Sequence, residues 1–302
     1  MDPMQPFFSI VIVVFNGIET ISEAIKSVIS QDFIDRELII IDGDSTDGTI
    51  QCINEFENHI NYFISEPDNG IYDAMNKAIR ASRGEFIFFL GSDDVFLNST
   101  VLSRQYEFMQ STPAHFYYGN VVMSNSGEVY DGSFNYKKLL RKNISHQAIF
   151  YHSSIFSKIG LFDLRFKLHA DWDFNLKCFA SDEINCIYTD LIIAIFKEGN
   201  SSAKPDKLFI THKLVPEIVE YNKKNPDFLN AIQIFDYLWR QFRNSGITSA
   251  KDIILNPDNK PTYIFIILSF QSVLPGKMLM NGFISKILMS VCYLYCKLTK
   301  SI

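Results

Sequence analysis

Asp93 and Asp94 follow the apolar segment EFIFFL after Gly91-Ser92, Asp42 closes ELIII, and Asp171 and Asp173 lie in HADWDF. Two adjacent carboxylates repel each other unless a cation or hydrogen-bond donors stand between them. A hard divalent ion takes oxygen ligands and leaves room for substrate phosphates, which is one use for Asp93-Asp94; an Asx turn with one acid solvated is the other. Asp171 opens a helical pattern, where the dipole favours an acid whether or not it removes a proton. Asp173 has Lys177 four residues on, a pairing that assigns it to the surface. Asp47, just ahead of Gly48, reads as a turn and cap residue, while Asp42 is open between turn and ligand roles. His146, in Ser145-His146-Gln147 ahead of an apolar strand, reads from its setting as a satisfied structural histidine. No GxGxxG follows the first apolar run and no GxxxxGK[ST] occurs, so a nucleotide's phosphates would be met by a metal and scattered donors.

These side chains need a frame. Residues 7–15 form a continuous apolar, β-branched run, as in a strand covered on both faces. Apolar residues at helical spacing follow from Ile18 to Ile29, then a strand over 37–41, a helix from Gly48 to about Asn58 and a strand over 61–65. A helix over 71–79 and a strand over 85–90 complete βαβ grammar of the parallel α/β class. Beyond Asp94 the pattern is mixed: a helix near 98–110, strands over 115–118 and 146–151, and turn-rich β signals over 121–130. A helix over 171–180 with Trp172, Leu176 and Phe179 buried is followed by a strand over 191–196.

The chain has 302 residues, 47% hydrophobic and 21% charged, enough for one large domain and an appendage, and too apolar for intrinsic disorder. A net charge of -6 argues against nucleic acid as a partner. Five cysteines without a CxxC pair, and an N-terminus without a basic, apolar leader, predict a reducing cytoplasmic setting. Residues 259–302 contain five lysines and no acid, and the apolar stretches 263–270 and 283–298 are too short to span a bilayer comfortably. They predict helices lying on an anionic membrane, or packing on the rest of the chain or a second copy of it. A boundary is expected near Lys204-Pro205.

The segments FFSIVIVVFN, ELIIIDGDSTDGT, SEPDNGIYDAMNKAI, RGEFIFFLGSDD, SHQAIF and HADWDF occur in that order. Over about residues 7–203 the chain resembles the family 2 glycosyltransferases of the GT-A fold, most closely bacterial members that assemble O-antigen, capsule and exopolysaccharide. The resemblance implies a Rossmann-like, mostly parallel sheet with helices on both faces. Its catalytic domain would cover 1–204, with a nucleotide-sugar half over about 1–97 and an acceptor half over about 98–204, followed by a helical extension over 205–302. It also implies inverting, metal-dependent transfer from a nucleoside diphosphate sugar, expected to be UDP-linked, to a hydroxyl of a saccharide on polyprenyl diphosphate, at the inner face of the plasma membrane. By the same resemblance Phe15, Asn16 and Asp42 hold the nucleotide base, and Asp68 and Asn76 contact the nucleotide sugar. Asp94 ligates Mn2+ or Mg2+, Asp93 meets the ribose and the ion's hydration shell, and Asp171 is the catalytic base. His146 would touch acceptor or diphosphate, and Ser201 lies in a loop, 199–202, that closes over the nucleotide. Ala170 stands where the family commonly has Glu, and Met75 where it often has Arg, leaving Lys77 or Arg80 to replace that Arg. Two other classes use the same carboxylates: a silent sugar-nucleotide-binding scaffold, which needs no base, and a metal-dependent nucleotidyltransferase, which releases pyrophosphate.

Overall fold

The near-continuous apolar run Phe8–Val14 forms strand β1, and all seven residues are buried. This computed structural model describes residues 5–197 and 206–225. After β1 come α1 (Ile21–Ile29), β2 (Arg36–Asp42), α2 (Thr49–Asn54), β3 (Tyr62–Ser65), α3 (Ile71–Ala81) and β4 (Phe86–Gly91). β1 pairs in parallel with β2 on one side and β4 on the other, and β2 pairs in parallel with β3. The winding therefore reverses at β1, and the carboxyl ends of β1, β2 and β4 border the crevice where open α/β sheets take their ligands. α2 is shorter than expected: Phe56 turns in against the core, and a 3-10 turn, Glu57–His59, replaces the last helical turn.

Next come β5 (Val95–Phe96), α4 (Val101–Ser111), β6 (Phe116–Met123), β7 (Val129–Tyr130), α5 (Tyr136–Leu139), β8 (Ile149–His152), α6 (Ser154–Lys158), α7 (Ala170–Ala180) and β9 (Cys186–Phe196). The sheet runs β3-β2-β1-β4-β8-β6-β9-β5, with β7 on β6. β8 is antiparallel to β4 and β6, β9 is parallel to β6, and β5 is antiparallel to β9. The expected mixed second half is thus built on an antiparallel insertion. Three local readings change. His146 belongs to a 3-10 turn, His146–Ala148, and the strand starts at Ile149. β9 begins at Cys186, and β5 is too short to leave a periodic signal. On α7 the buried apolar residues are Ala170, Phe174, Leu176 and Cys178, whereas Trp172 and Phe179 are half-buried. Trp172 lies at an edge because its Nε1 donates to the Leu139 carbonyl at 2.7 Å.

Alternation along the strands supplies two cores. Phe88 faces Phe150 (4.6 Å between centroids) and Phe96 (5.1 Å), in the layer closed by α1 and α4. Its neighbour Phe89 points the other way, toward Tyr151 and Phe162, and Phe162 packs on Phe174 of α7.

Contacts divide the chain into two units, Met1–Asn200 and Ser201–Ile302. In the second, the described residues form α8 (Lys207–Phe209), a π-helical stretch (Ile210–Leu214) and α9 (Val215–Lys224), with Pro216 in the first turn of α9. Ser201, the Lys204-Pro205 boundary and the stretches 263–270 and 283–298 lie outside the described residues. Among the described residues no helix is long and apolar enough to cross a membrane.

Candidate functional site

Asp42 ends β2 fully buried. Its Oδ2 accepts from the Ser45 backbone (2.9 Å) and the Ser65 hydroxyl (2.6 Å), while Oδ1 is buried without a partner. A carboxylate oxygen left in that state costs about 1–3 kcal/mol, which an N–H from a ligand would recover. Gly43 follows, and a Cβ there would lie 2.7 Å from Asp68 Oδ2 and 3.3 Å from the Phe15 ring, so only glycine lets those side chains approach. Phe15 is 64% exposed, an unusual position for a ring of this size unless it covers something flat. Asn16 takes the left-handed region (φ 50°) that asparagine tolerates, and its Oδ1 accepts from the Thr46 backbone at 2.9 Å, bracing the β1 and β2 loops together. Phe15, Asp42 and Asp68 thus gather around one glycine, and Asn16 supports them from behind. Asp47 keeps its turn role, accepting from the Thr49 and Ile18 backbones.

The acidic pair after β4 divides into unlike halves. Asp93 is exposed, whereas Asp94 is 1% exposed, and a Cβ on Gly91 would lie within 2.3 Å of its Oδ2. Lys197 of the main chain donates to Asp94 Oδ1 (2.7 Å), and the Gln147 amide donates to Oδ2. Loss of water, the largest cause, raises the Asp94 pKa to about 7, and the charge on Asp93 adds to it. Each Asp94 oxygen keeps a lone pair beyond its hydrogen bond, so an oxygen-seeking cation fits: it would relieve both the desolvation and the like-charge repulsion. Among the described residues no three His, Cys, Asp or Glu side chains form a metal cage, so such an ion would draw its remaining ligands from substrate phosphates and water.

Asp171 sits in the first turn of α7, 7% exposed. The Tyr72 hydroxyl on α3 lies 2.6 Å from its Oδ1, and Asn143 Nδ2 donates to its Oδ2 at 2.8 Å. The Asn143 amide is oriented in turn by Asn175 (2.9 Å), and Asn175 by the Tyr151 hydroxyl (3.0 Å). This chain leaves the carboxylate one orientation while each oxygen retains a free lone pair. His146 Nδ1 is 4.0 Å from Asp171 Oδ2; burial lowers the His146 pKa, against the pull of Asp171 and Asp93, and keeps the ring neutral near pH 7. His146 stands beside Asp171 and the next residue, Gln147, holds Asp94. One 3-10 turn therefore couples the two acidic centres.

Other expected residues do different work. Asn76 is buried, and its amide both donates to and accepts from the Phe162 backbone (2.9 and 3.0 Å), which pins that loop. Lys77 bonds Glu66 (2.8 Å) and the Pro67 carbonyl (3.0 Å), which stiffens the loop carrying Asp68, and Arg80 donates to the Asn76 carbonyl. Neither replaces a phosphate-binding Arg in this arrangement. Asp173 keeps its Lys177 partner at 2.6 Å but is buried, not on the surface. Tyr72, Asn143 and Gln147 went unread: a tyrosine at a buried helical spacing looks like core, and single amides in loops look like turns.

Residues 9–166 match the family model described as glycosyl transferase family 2. A PGL/p-HBAD biosynthesis glycosyltransferase of Mycobacterium tuberculosis is 34% identical over 212 residues, 68% of this chain and 83% of that protein. The UDP-Glc:alpha-D-GlcNAc-diphosphoundecaprenol beta-1,3-glucosyltransferase WfgD of Escherichia coli is 34% identical over 140 residues, 44% of this chain and 54% of that protein. Among solved structures, S. aureus TarS 1-349 in complex with UDP-GlcNAc aligns with a TM-score of 0.62 at 19% identity, covering 96% of this chain and 87% of that one. A longer TarS chain aligns at 0.61, and this chain spans 53% of it.

Proposed function

The chain belongs to glycosyl transferase family 2, and from that premise we propose that it moves a sugar, with inversion, from a UDP-sugar to a hydroxyl of a lipid-linked saccharide during surface polysaccharide assembly. It is a glycosyltransferase with the GT-A fold; the proposed residue roles rest on the geometry at the sheet edge, and the donor and acceptor on what its relatives are named for. The observation that carries the reading is the Asp171 carboxylate, ionisable, fixed by Tyr72 and Asn143, and joined through His146 and Gln147 to Asp94.

Three tasks divide among the residues. Phe15 would cover the flat face of the base, while Asp42 Oδ1 and Asp68 would accept its N–H and ribose hydroxyls. Asp94, with Asp93 beside it, would hold Mn2+ or Mg2+, which supplies charge compensation to the departing diphosphate. Asp171 would take the proton of the attacking hydroxyl, being acceptor-only when ionised and having a lone pair free on each oxygen. Direct attack with a single base inverts the anomeric centre. WfgD, whose name gives a diphosphoundecaprenol acceptor, favours a lipid-linked acceptor for this chain. In this reading residues 259–302, with their five lysines, bring the site to an anionic inner membrane face.

Asp171→Asn tests the reading. Calorimetry with UDP and Mn2+ should give unchanged affinity, while turnover with a UDP-sugar panel and saccharide acceptors falls roughly 10²-fold or more, as for loss of a general base. Near-normal turnover would return Asp171 to a helix-start charge. Release of pyrophosphate instead of UDP would favour the nucleotidyltransferase class, and binding of UDP-sugar with no turnover in the unmutated protein would favour the scaffold.

A further inference from the structure

Residues 131–142 (DGSFNYKKLLRK) carry four cations, Lys137, Lys138, Arg141 and Lys142, against the single carboxylate of Asp131, a net +3 in a chain whose total is -6. The loops after the parallel strands are the opposite, with Asp42, Asp44, Asp68, Asp93 and Asp94 gathered at the crevice. The basic turn is not a loose tail. Leu139 and Leu140 are fully buried, the Asn135 side chain caps α5 by accepting from the Lys138 backbone (2.9 Å), and Lys138 Nζ donates to the Ser133 carbonyl (3.0 Å). Lys138 and Lys142 both reach Asp131 Oδ2, and each ammonium also lies over a ring, Phe134 at 4.2 Å and Tyr130 at 4.4 Å. Lys137 and Arg141, spaced i,i+4, are exposed.

Two bonds fasten this turn to the catalytic helix. Trp172, next to Asp171, donates to the Leu139 carbonyl, and Asn143, directly after Lys142, donates to Asp171 itself. A hydroxyl that gives its proton to Asp171 would thus sit beside the segment that carries the basic turn. A saccharide joined to its lipid through a diphosphate carries two phosphates one sugar ring away from the attacked hydroxyl. Phosphate oxygens are the ligands that a fixed group of Lys and Arg recognises best.

We propose that the turn 137–142 binds the diphosphate of the acceptor, with Lys137 and Arg141 as its specificity-determining contacts. The inference rests on the reading of a lipid-linked acceptor given above and adds the part of that acceptor which is recognised. It makes the diphosphate, rather than the lipid tail, the feature that separates acceptors from free oligosaccharides.

The test compares the unmutated full chain with Lys137→Glu/Arg141→Glu and with the milder Lys137→Gln/Arg141→Gln. Two probes are titrated in a calorimeter: a synthetic alkyl-diphosphate-linked N-acetylglucosamine and the phosphate-free alkyl glycoside of the same sugar. UDP with Mn2+ is titrated in parallel. The unmutated protein should bind the diphosphate probe at least tenfold more tightly than the glycoside, a preference that shrinks as salt rises. The Gln pair should lose part of it and the Glu pair all of it, with UDP affinity unmoved. Equal binding of both probes by the unmutated protein overturns the proposal, as does an equal loss for both probes in the variants. A fall in UDP affinity would assign the turn to the donor instead. Loss of pelleting with phosphatidylglycerol vesicles without loss of the diphosphate probe would assign it to membrane headgroups. Failure of the unmutated protein to bind UDP sinks the proposed function separately, because the diphosphate probe is read without it.

Discussion

Asp94→Asn should stabilise the protein in chelator at pH 8, although the position is the proposed ion ligand. In the fold the Asp94 carboxyl is pushed up to about 7, chiefly by burial, whereas in the unfolded chain it titrates near 3.9. The folded state thus binds this proton more tightly than the unfolded state, and stability falls as pH rises from about 4 to about 7. Three units at about 1.36 kcal/mol each give an upper figure of about 4 kcal/mol. Asn carries no charge and can keep both contacts: its Oδ1 accepts from the Lys197 backbone, and its Nδ2 can face Gln147 if that amide turns over against Ser145. Allowing for the weaker neutral hydrogen bonds, the gain at pH 8 should be about 2–3 kcal/mol. The assay is thermal unfolding in chelator at pH 8, 6 and 4, with and without the substitution. The advantage of the variant should be largest at pH 8 and vanish near pH 4. Mn2+ with UDP should then raise the Tm of the unmutated protein and leave the variant unmoved, since a ligand stabilises only the state that binds it. A variant less stable than the parent at pH 8, or a difference independent of pH, would refute the account of Asp94 as a desolvated carboxylate waiting for a cation.

Tyr72→Phe removes one of the two donors that fix Asp171; because that hydroxyl is shared with the Leu168 carbonyl (2.9 Å), the loss is about 1.5 kcal/mol, read as a fall in kcat of roughly tenfold with UDP affinity unmoved. An unchanged kcat would separate Tyr72 from the chemistry. Gln105→Met should raise stability by about 1–2 kcal/mol in urea titrations, since Gln105 is fully buried on α4 and neither end of its amide has a partner among the described residues. Glu37→Ala should lower stability by about 2–3 kcal/mol, the smaller end of the range for a broken buried pair because Arg83 is half in water; Glu37 accepts from Ser9 Oγ (2.6 Å), Arg83 N (2.7 Å) and Arg83 Nε (2.9 Å), which closes the amino ends of β1, β2 and β4.

Much of the fold and part of the site were legible in the order of residues. The runs 7–15, 37–41 and 85–90 read as strands covered on both faces, because each is apolar at nearly every position, and the polar residues that follow each run mark a strand end at the crevice. Asp42, Asp94 and Asp171 were singled out as candidates by strand ends and motif order, and the structure shows how each is buried and held. Short or irregular pieces escaped such local reasoning: β5 has two residues, and the turn at His146 leaves no period to read. Roles that depend on partners distant in the chain escaped it as well. Asn76 and Asp173 have polar side chains that suggest function or surface, yet the first bonds the Phe162 backbone, 86 residues away, and the second is buried beside Lys177. Tyr72 and Asn143 reach Asp171 across 99 and 28 residues, so nothing in their neighbours along the chain could indicate the contact. Local sequence determines which segments become strands and helices, because period and burial are properties of neighbours in the chain. Which carboxylate is desolvated, fixed or solvated is decided only when separate segments meet, because burial and hydrogen-bond supply come from residues that the chain itself does not place side by side.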